Sequence, residues 1–258
     1  MGDLKVDQVL VETTGGIMTI TIERPAVRNA IDHRTAVSIG EALDELDADP
    51  NLAVAVVTGA GGTFCAGMDL KAFAGGQPLP RTERGFAGIA ARPPRTPIIA
   101  AVEGYALGGG CELALACDLV VASRNAVFGL PEVKRGLTAG AGGLFRLPRR
   151  IPYHVAMELI LTGQPFGAER AEHLGLVNRL TEPGGALADA LALAGTIAEN
   201  GPLAVAASKR VVVESQDWPQ AEAFERQAPI LDPVRESEDA LEGAQAFAEK
   251  RRPVWRGR

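Results

Sequence analysis

Cysteine and histidine are both scarce in this chain, with three of each among 258 residues. Cys65, Cys111 and Cys117 are an odd number without a C-x-x-C pair, and no histidine stands at metal-ligand spacing. Neither a disulfide framework nor a zinc site is supported, and reduced, buried thiols are expected instead. No Ser or Cys sits in a G-x-S-x-G elbow, and His33, His154 and His173 are scattered, so nucleophilic hydrolysis is disfavoured. Long apolar runs are missing as well: nothing approaches the roughly 18 residues of a membrane span, and the opening MGDLKVDQVL has no apolar core behind a basic stretch. The expectation is a cytoplasmic protein without membrane insertion. Excess positive charge is also lacking; a net charge of −6 argues against nucleic-acid binding, which relies on Lys and Arg neutralising phosphates.

What is present suits a soluble globular protein, with 47% hydrophobic and 22% charged residues. Ile17 to Ile22 alternates β-branched residues as a strand does, whereas Val54 to Thr58 is a continuous apolar run that suits a strand buried on both faces. Between them Asp32 can cap a helix in which Ala36, Ile39, Leu43 and Leu46 recur at spacings of three and four, until Asp49-Pro50 stops it. Ile98 to Val102 and Leu119 to Ala122 read as further buried strands, with a helix over Cys111 to Ala116. Strands separated by turns and helices predict an α/β layered core. Residues 72 to 97, rich in Gly and Pro with little periodicity, read as a surface excursion or lid. Beyond Ala186 the pattern turns helical, over Ala188 to Ala198, Pro202 to Val213 and Ala240 to Lys250, which predicts a helical appendage with a boundary near residue 196.

Two segments repeat one design of apolar run, glycine turn and short helix: VAVVTGAGGTFCAGMDLKAF at 54 to 73 and IIAAVEGYALGGGCELALACDL at 98 to 119. Such turns bring main-chain N–H groups to an open edge, and two of them converging can hold an oxyanion. Met68 and Gly109 are the candidate donors. The glycines of GYALGGG are at the wrong intervals for a dinucleotide fingerprint. Glu112 follows the glycine triplet, and Glu132 stands after Pro131 in FGLPEVKRGL. Either acid alone is most simply a helix-start or solvated carboxylate. Beside an anion site, the pair can act as an acid/base device around a water. Lys71, Lys209 and Lys250 are candidates to meet phosphates.

Seven ordered segments carry a resemblance along nearly the whole chain: IERPAVRNAI (22 to 31), TGAGGTFCAGMDLK (58 to 71), PIIAAVEGYALGGGCELALACDLVVAS (97 to 123), FGLPEVKRGLTAGAGG (128 to 143), LTGQPFGAERAEHLGLVNRL (161 to 180), NGPLAVAASKR (200 to 210) and SEDALEGAQAFAEKRRPVW (237 to 255). In them the chain resembles the enoyl-CoA hydratase/isomerase, or crotonase, superfamily. The resemblance implies an α/β crotonase-like spiral of ββα units over residues 1–196, for acyl-CoA binding and catalysis. It implies a C-terminal helical region over 197–258 for assembly as a homotrimer, or as a hexamer built as a dimer of trimers. It places oxyanion donors at the N–H groups of Met68 and Gly109, and catalytic carboxylates at Glu112 and Glu132. The Gly140 N–H is expected to help hold the water. Ala66, Asp69, Leu70 and Lys71 fall where the coenzyme A moiety is met, with Lys250 a further phosphate or ribose contact, as from a neighbouring subunit.

The implied activity is that of a lyase hydrating a 2-enoyl-CoA, in fatty-acid or related acyl-CoA degradation. No metal or separate cofactor is implied, because coenzyme A enters as part of the acyl-CoA thioester substrate. Alternatives on the same fold are a carnitinyl-CoA-type dehydratase, an isomerase, a hydrolase or a decarboxylase; from another class, a non-catalytic acyl-CoA-binding subunit. The chain departs from the family pattern where Thr138-Ala139 replaces its common proline, and in carrying Met68 where short-chain hydratases often have alanine.

Overall fold

The computed structural model describes residues 4–6 and 8–258, so the expectation drawn from the first ten residues falls partly outside them. The chain opens as a meander of β1 (Leu4–Val6), β2 (Val9–Thr14) and β3 (Ile17–Ile22). Gly15 and Gly16 close its second turn at φ 59° and 79°. A two-residue turn with both φ positive matches the twist of the strands it joins, and glycine reaches it without strain. The alternation in β3 puts Met18, Ile20 and Ile22 wholly in the core. Helix α1 (His33–Ala48) starts as expected, with the Asp32 carboxylate accepting the Thr35 N–H at 2.8 Å, and it buries Ala36, Ile39, Leu43 and Leu46 before ending at Asp49.

From there the chain spirals. β4 (Val54–Gly59) joins the main sheet beside β3, Cys65 bridges toward the next turn, and α2 (Leu70–Ala74) follows, then a small hairpin of β5 (Arg81–Thr82) and β6 (Gly85–Phe86). β7 (Ile98–Val102) enters the main sheet, β8 (Tyr105–Leu107) a smaller one, and α3 (Gly109–Ala116) returns the chain; β9 (Leu119–Ser123) and β10 (Val127–Gly129) repeat the step. Helices α4 (Gly143–Arg150) and α5 (Tyr153–Thr162) lead through β11 (Phe166–Gly167) and α6 (Ala168–His173) to β12 (Arg179–Thr181). The result is a seven-stranded sheet in the order β1-β2-β3-β4-β7-β9-β12, parallel from β3 onward, beside a three-stranded sheet β11-β10-β8. The turns β7-β8-α3 and β9-β10 add one strand to each sheet before the chain returns through helix, and in the β4 turn the Cys65 bridge takes the place of the second strand, which is the ββα spiral.

The pleat divides the central strands between two cores. Ala55, Val57, Ile98, Ala100 and Val102 face the large one; Val54, Val56, Ile99, Ala101 and Val121 face α7 (Ala186–Ala198). Helix α7 meets them with Ala186, Ala190 and Ala194, a four-residue stripe of small side chains that lets the helix lie close to the sheet. The expected boundary at 196 falls inside this helix. Helices α8 (Pro202–Glu214), α9 (Ala223–Arg235) and α10 (Glu238–Glu249) complete the chain, and the Trp255 indole N–H donates to Glu199 O at 2.8 Å, folding the tail back. Among the described residues no single helix is long and apolar enough to cross a membrane. The three cysteines are buried and unpaired.

Residues 72 to 97 are not the surface excursion their composition suggests. Residues 73 to 79 are exposed, but Ala87 and Ile89 have no solvent exposure, and Gly88 (φ +69°) lies so close to α1 that a Cβ would collide with Ala36 O. Arg84, 4% exposed, fastens the segment: its guanidinium donates to Asp44 Oδ1 (2.8 Å), Asp47 Oδ2 (3.0 Å), Leu43 O (3.2 Å) and Arg92 O (3.0 Å). Periodicity cannot show this, because one arginine with four acceptors anchors the stretch in place of a hydrophobic stripe. Removing the buried guanidinium takes a donor from Asp47 Oδ2 and from the Leu43 and Arg92 carbonyls, at about 1 to 3 kcal/mol for each buried acceptor left unsatisfied. R84M is therefore expected to lower unfolding free energy by several kcal/mol in urea titrations; a loss near the value of an exposed ion pair would show that the network does not anchor the segment.

Candidate active site

The two glycine turns meet. Cys65 bridges to Ala106 in parallel, with Cys65 N–H on Tyr105 O at 2.8 Å and Leu107 N–H on Cys65 O at 3.0 Å, so the run Ala66-Gly67-Met68 lies along the entry to α3. The approach leaves no room for side chains. A Cβ on Gly67 (φ +101°) would stand 2.8 Å from Leu107 O and 3.1 Å from Gly109 N, and one on Gly110 would collide with Cys65 O. Met68 pairs with Ile31 in a second parallel bridge, made by Ile31 N–H to Gly67 O (2.8 Å) and Asp69 N–H to Ile31 O (2.9 Å). In a parallel bridge the flanking peptides make the bonds, so the N–H of Met68 itself is directed to the opposite side. Gly109 is the first residue of α3, where an N–H has no partner inside the helix. Two backbone donors from different turns are thus brought to one place. Phe86 packs its ring on Gly109, where a Cβ would collide with it.

Both carboxylates stand at the same end of α3. Glu112, in its first turn, is 3% exposed, and its Oε1 accepts the N–H groups of Ala141 (2.7 Å) and Gly143 (2.9 Å). Glu132 projects from the 3-10 turn Pro131–Arg135 to the other side of the glycine triplet, with Oε1 3.2 Å from the position a Cβ on Gly108 would take. Its Oε2 is buried and has no hydrogen-bond partner among the described residues. Burial, and next the charge of Glu132, push the Glu112 carboxyl up to about 7, against the opposing pull of the Gly143 and Ala141 N–H groups and Arg146. Burial likewise raises Glu132, opposed by its own backbone N–H and by Arg135. Two neighbouring carboxyl groups whose proton affinity is raised in this way resist ionising together. Next to two open N–H donors, such a pair can polarise a carbonyl and move a proton at a neighbouring carbon.

A family model described as enoyl-CoA hydratase/isomerase matches residues 12–258. The chain belongs to the enoyl-CoA hydratase/isomerase family. Within this crotonase superfamily it is 57% identical to an enoyl-CoA hydratase from Mycobacterium tuberculosis H37Rv, whose crystal structure superposes with a TM-score of 0.95 over 97% of this chain and 99% of that one. The structure of a carnitinyl-CoA hydratase from Mycobacterium avium is 48% identical, with a TM-score of 0.79 over 98% of this chain and all (100%) of that one. A carnitinyl-CoA dehydratase from Salmonella typhi is 43% identical over 253 residues, 95% of this chain and 96% of its own length.

Several expected members of the crotonase site stand elsewhere or do other work. The Gly140 N–H donates to Thr138 O at 2.8 Å, a tight local turn, so it is not free to hold a water; the N–H groups of Ala141 and Gly143 face inward instead, onto Glu112. The TAGAGG run announced a glycine turn, but which of its donors faces inward depends on that Thr138 turn. Asp69 is likewise structural: its carboxylate caps α2 at Ala72 N (3.0 Å) and pairs with Arg24 (3.1 Å). Lys209 is held by Asp118 (2.6 Å) and Thr96 O (3.0 Å). Ala66, Leu70 and Lys71 do flank Met68, with Leu70 and Lys71 exposed on α2. Lys250 ends α10, which packs on α9. A cleft of about 960 Å³ lined by Pro97, Asp118, Lys209 and Val212 includes none of the glycine-turn or carboxylate residues. Phe86 carried no sequence signal, being a lone aromatic in an aperiodic segment.

A carboxyl raised from 4.5 to about 7 by folding favours the fold while it is protonated. That contribution is complete below the unfolded value and is lost as pH rises through the folded one. E112Q, permanently neutral and still able to accept both N–H groups, is expected to melt above wild type at pH 8, with the gap closing toward pH 5 in parallel thermal scans. A gap that does not change with pH would mean Glu112 is not ionising in this range.

Proposed function

We propose that the chain is a hydro-lyase that adds water to C3 of a 2-enoyl-CoA and, in reverse, removes it from the 3-hydroxyacyl-CoA. The thioester oxygen sits between the N–H groups of Met68 and Gly109, each contributing about 3 to 4 kcal/mol to stabilising the enolate. Polarisation of the carbonyl makes C3 electrophilic. Glu112, ionised, takes a proton from the attacking water as its oxygen bonds to C3, and the C2–C3 π electrons move toward the carbonyl. Glu132, protonated, then delivers its proton to C2. Both carboxyls have changed state, and one proton remains on the pair. The coenzyme A moiety would run past Ala66, Leu70 and Lys71.

The observation that carries this reading is the pair itself: buried Glu112 and half-buried Glu132 both stand at the glycine triplet, and the Glu132 Oε2 is buried without a partner among the described residues. A protein that only binds acyl-CoA has no use for a second carboxyl there. The carnitinyl-CoA relatives support a second reading, in which the acyl group bears a quaternary ammonium and the dominant direction is dehydration. The two readings share their chemistry and differ in the acyl group.

Purified protein is expected to consume the conjugated thioester absorbance of crotonyl-CoA or a longer 2-enoyl-CoA, or to generate it from carnitinyl-CoA. Unchanged absorbance with all of these, while coenzyme A esters still bind, would rule out a hydro-lyase. E132Q is expected to bind substrate normally and to lose roughly 10²-fold or more in turnover, the usual contribution of a positioned acid. Full activity in E132Q would reduce Glu132 to a structural group.

A further inference from the structure

Arg146, on the second turn of α4, is half-buried and, among the described residues, has no carboxylate at ion-pair distance. Its guanidinium is nonetheless engaged on two sides. Nη1 donates to Ala141 O at 3.2 Å and Nη2 to Ala90 O at 2.7 Å, while the group lies 5.1 Å over the Phe145 ring. Ala141 is also the residue whose N–H holds Glu112 at 2.7 Å. Arg146 therefore holds by its carbonyl the same residue whose N–H holds Glu112 Oε1, so the guanidinium fixes the backbone on one side of the Ala141 Cα and the carboxylate is bonded on the other. At its other end the guanidinium grips the segment that Arg84 fastens to α1 and that places Phe86 on Gly109.

We infer that Arg146 is a positioning residue for Glu112, strapping the 141–143 turn to the 84–90 segment so that carboxylate and oxyanion donors are set from one rigid wall. The inference rests on the reading of Glu112 as the group that exchanges a proton with water. Arginine suits the task because its planar fork reaches two carbonyls at a fixed angle, which a lysine point charge cannot. The strap also has an electrostatic effect. The charges that bear on Glu112 are Glu132, which raises it, and Arg146, which lowers it; Arg150 in turn bears on Arg146. The competent pair carries one proton, and the state is lost at high pH when that proton leaves.

The test compares R146Q and R146K with wild type by steady-state kinetics across pH, on whichever acyl-CoA the enzyme turns over. Alongside, infrared difference spectra titrate the Glu112 carboxyl, with E112Q as the subtraction. R146Q is expected to keep its KM and to lose about 100-fold in kcat, the scale of a catalytic group displaced by about 1 Å. Its high-pH limb and its Glu112 titration should both move up, because a nearby positive charge has gone. R146K keeps the charge, so its pH profile should stay in place while only part of kcat returns. A purely structural arginine would leave the titration of folded protein unmoved. Wild-type kcat in R146Q, or an unshifted Glu112 titration, would overturn the proposal. If R146Q does not fold, R146K decides alone: reduced kcat on an unmoved profile supports the strap, and wild-type kcat overturns it. The infrared titration needs no turnover, so an upward shift in a protein inactive toward every acyl-CoA would refute the hydro-lyase and keep the Arg146–Glu112 coupling.

Discussion

The main chain of the Gly67 turn lies against the main chain of the Gly108–Gly110 turn without any side chain between them, and the rest of the site follows from that contact. It demands glycine where the backbones cross, since a Cβ at Gly67 or Gly110 would meet a carbonyl oxygen. It is held from both flanks by short parallel bridges, Cys65 with Ala106 and Met68 with Ile31, each borrowing the geometry of a sheet without its length. Once the turns touch, the N–H of Met68, turned away from its bridge, and the N–H of Gly109, at the start of α3, are brought together. Under the proposed function an anion site then arises from main-chain geometry, and no cationic side chain has to be placed there.

The same contact fixes what surrounds it. Glycines 108 to 110 leave open the space beside α3 that Glu132 enters on one side, and the fourth residue of that helix, Glu112, is drawn inward on the other. A carboxylate so buried would ordinarily be an expensive defect. Here the two N–H groups of the 141–143 turn accept part of the burden, and the rest remains as a raised proton affinity. Under the proposed function stability and chemistry are opposed at one residue: what makes Glu112 an unwilling anion in the folded protein would also tune it for proton exchange near neutrality.

Much of this was legible in the sequence where a single local rule governs. β-branched alternation marked Ile17–Ile22, continuous apolar runs marked the buried strands at Val54 and Ile98, and Asp32 marked the start of α1. The family motifs pointed to Met68, Gly109, Glu112 and Glu132, which the fold brings to the start of α3. The failures share a cause, which is that long-range partners override local signals. Helix α3 begins at Gly109 and not Cys111, because packing against Cys65 makes glycine the required helix start. Helix α9 carries Pro229 and Pro233, which break its pattern on paper but are accommodated in the folded chain. The segment at 84 to 91 is buried through Arg84 and not through apolar periodicity, and the inward donors after Thr138 belong to Ala141 and Gly143 because Gly140 closes its own turn. Asp69 resembles a ligand contact in the motif, yet its charge answers to Arg24 and to the start of α2.

In the proposed mechanism a pair that shares one proton is indifferent to the direction of the reaction. For hydration the proton would begin on Glu132 and the water's proton end on Glu112; for dehydration the assignment would be reversed, with the pair carrying the same total charge. Such a pair has no means of favouring hydration over dehydration, and relatives bearing either word can share it. Under that mechanism selectivity would reside where the acyl group extends past C3. The 84–90 segment lies against the glycine turn, its Phe86 ring covering Gly109 and its Ala90 carbonyl taking Arg146. That stretch has neither the periodicity of a core element nor the exposure of a loop. It is fastened by one arginine at each end, Arg84 to α1 and Arg146 to the 141–143 turn, so its placement rests on those two guanidinium groups and leaves its other side chains out of the anchoring.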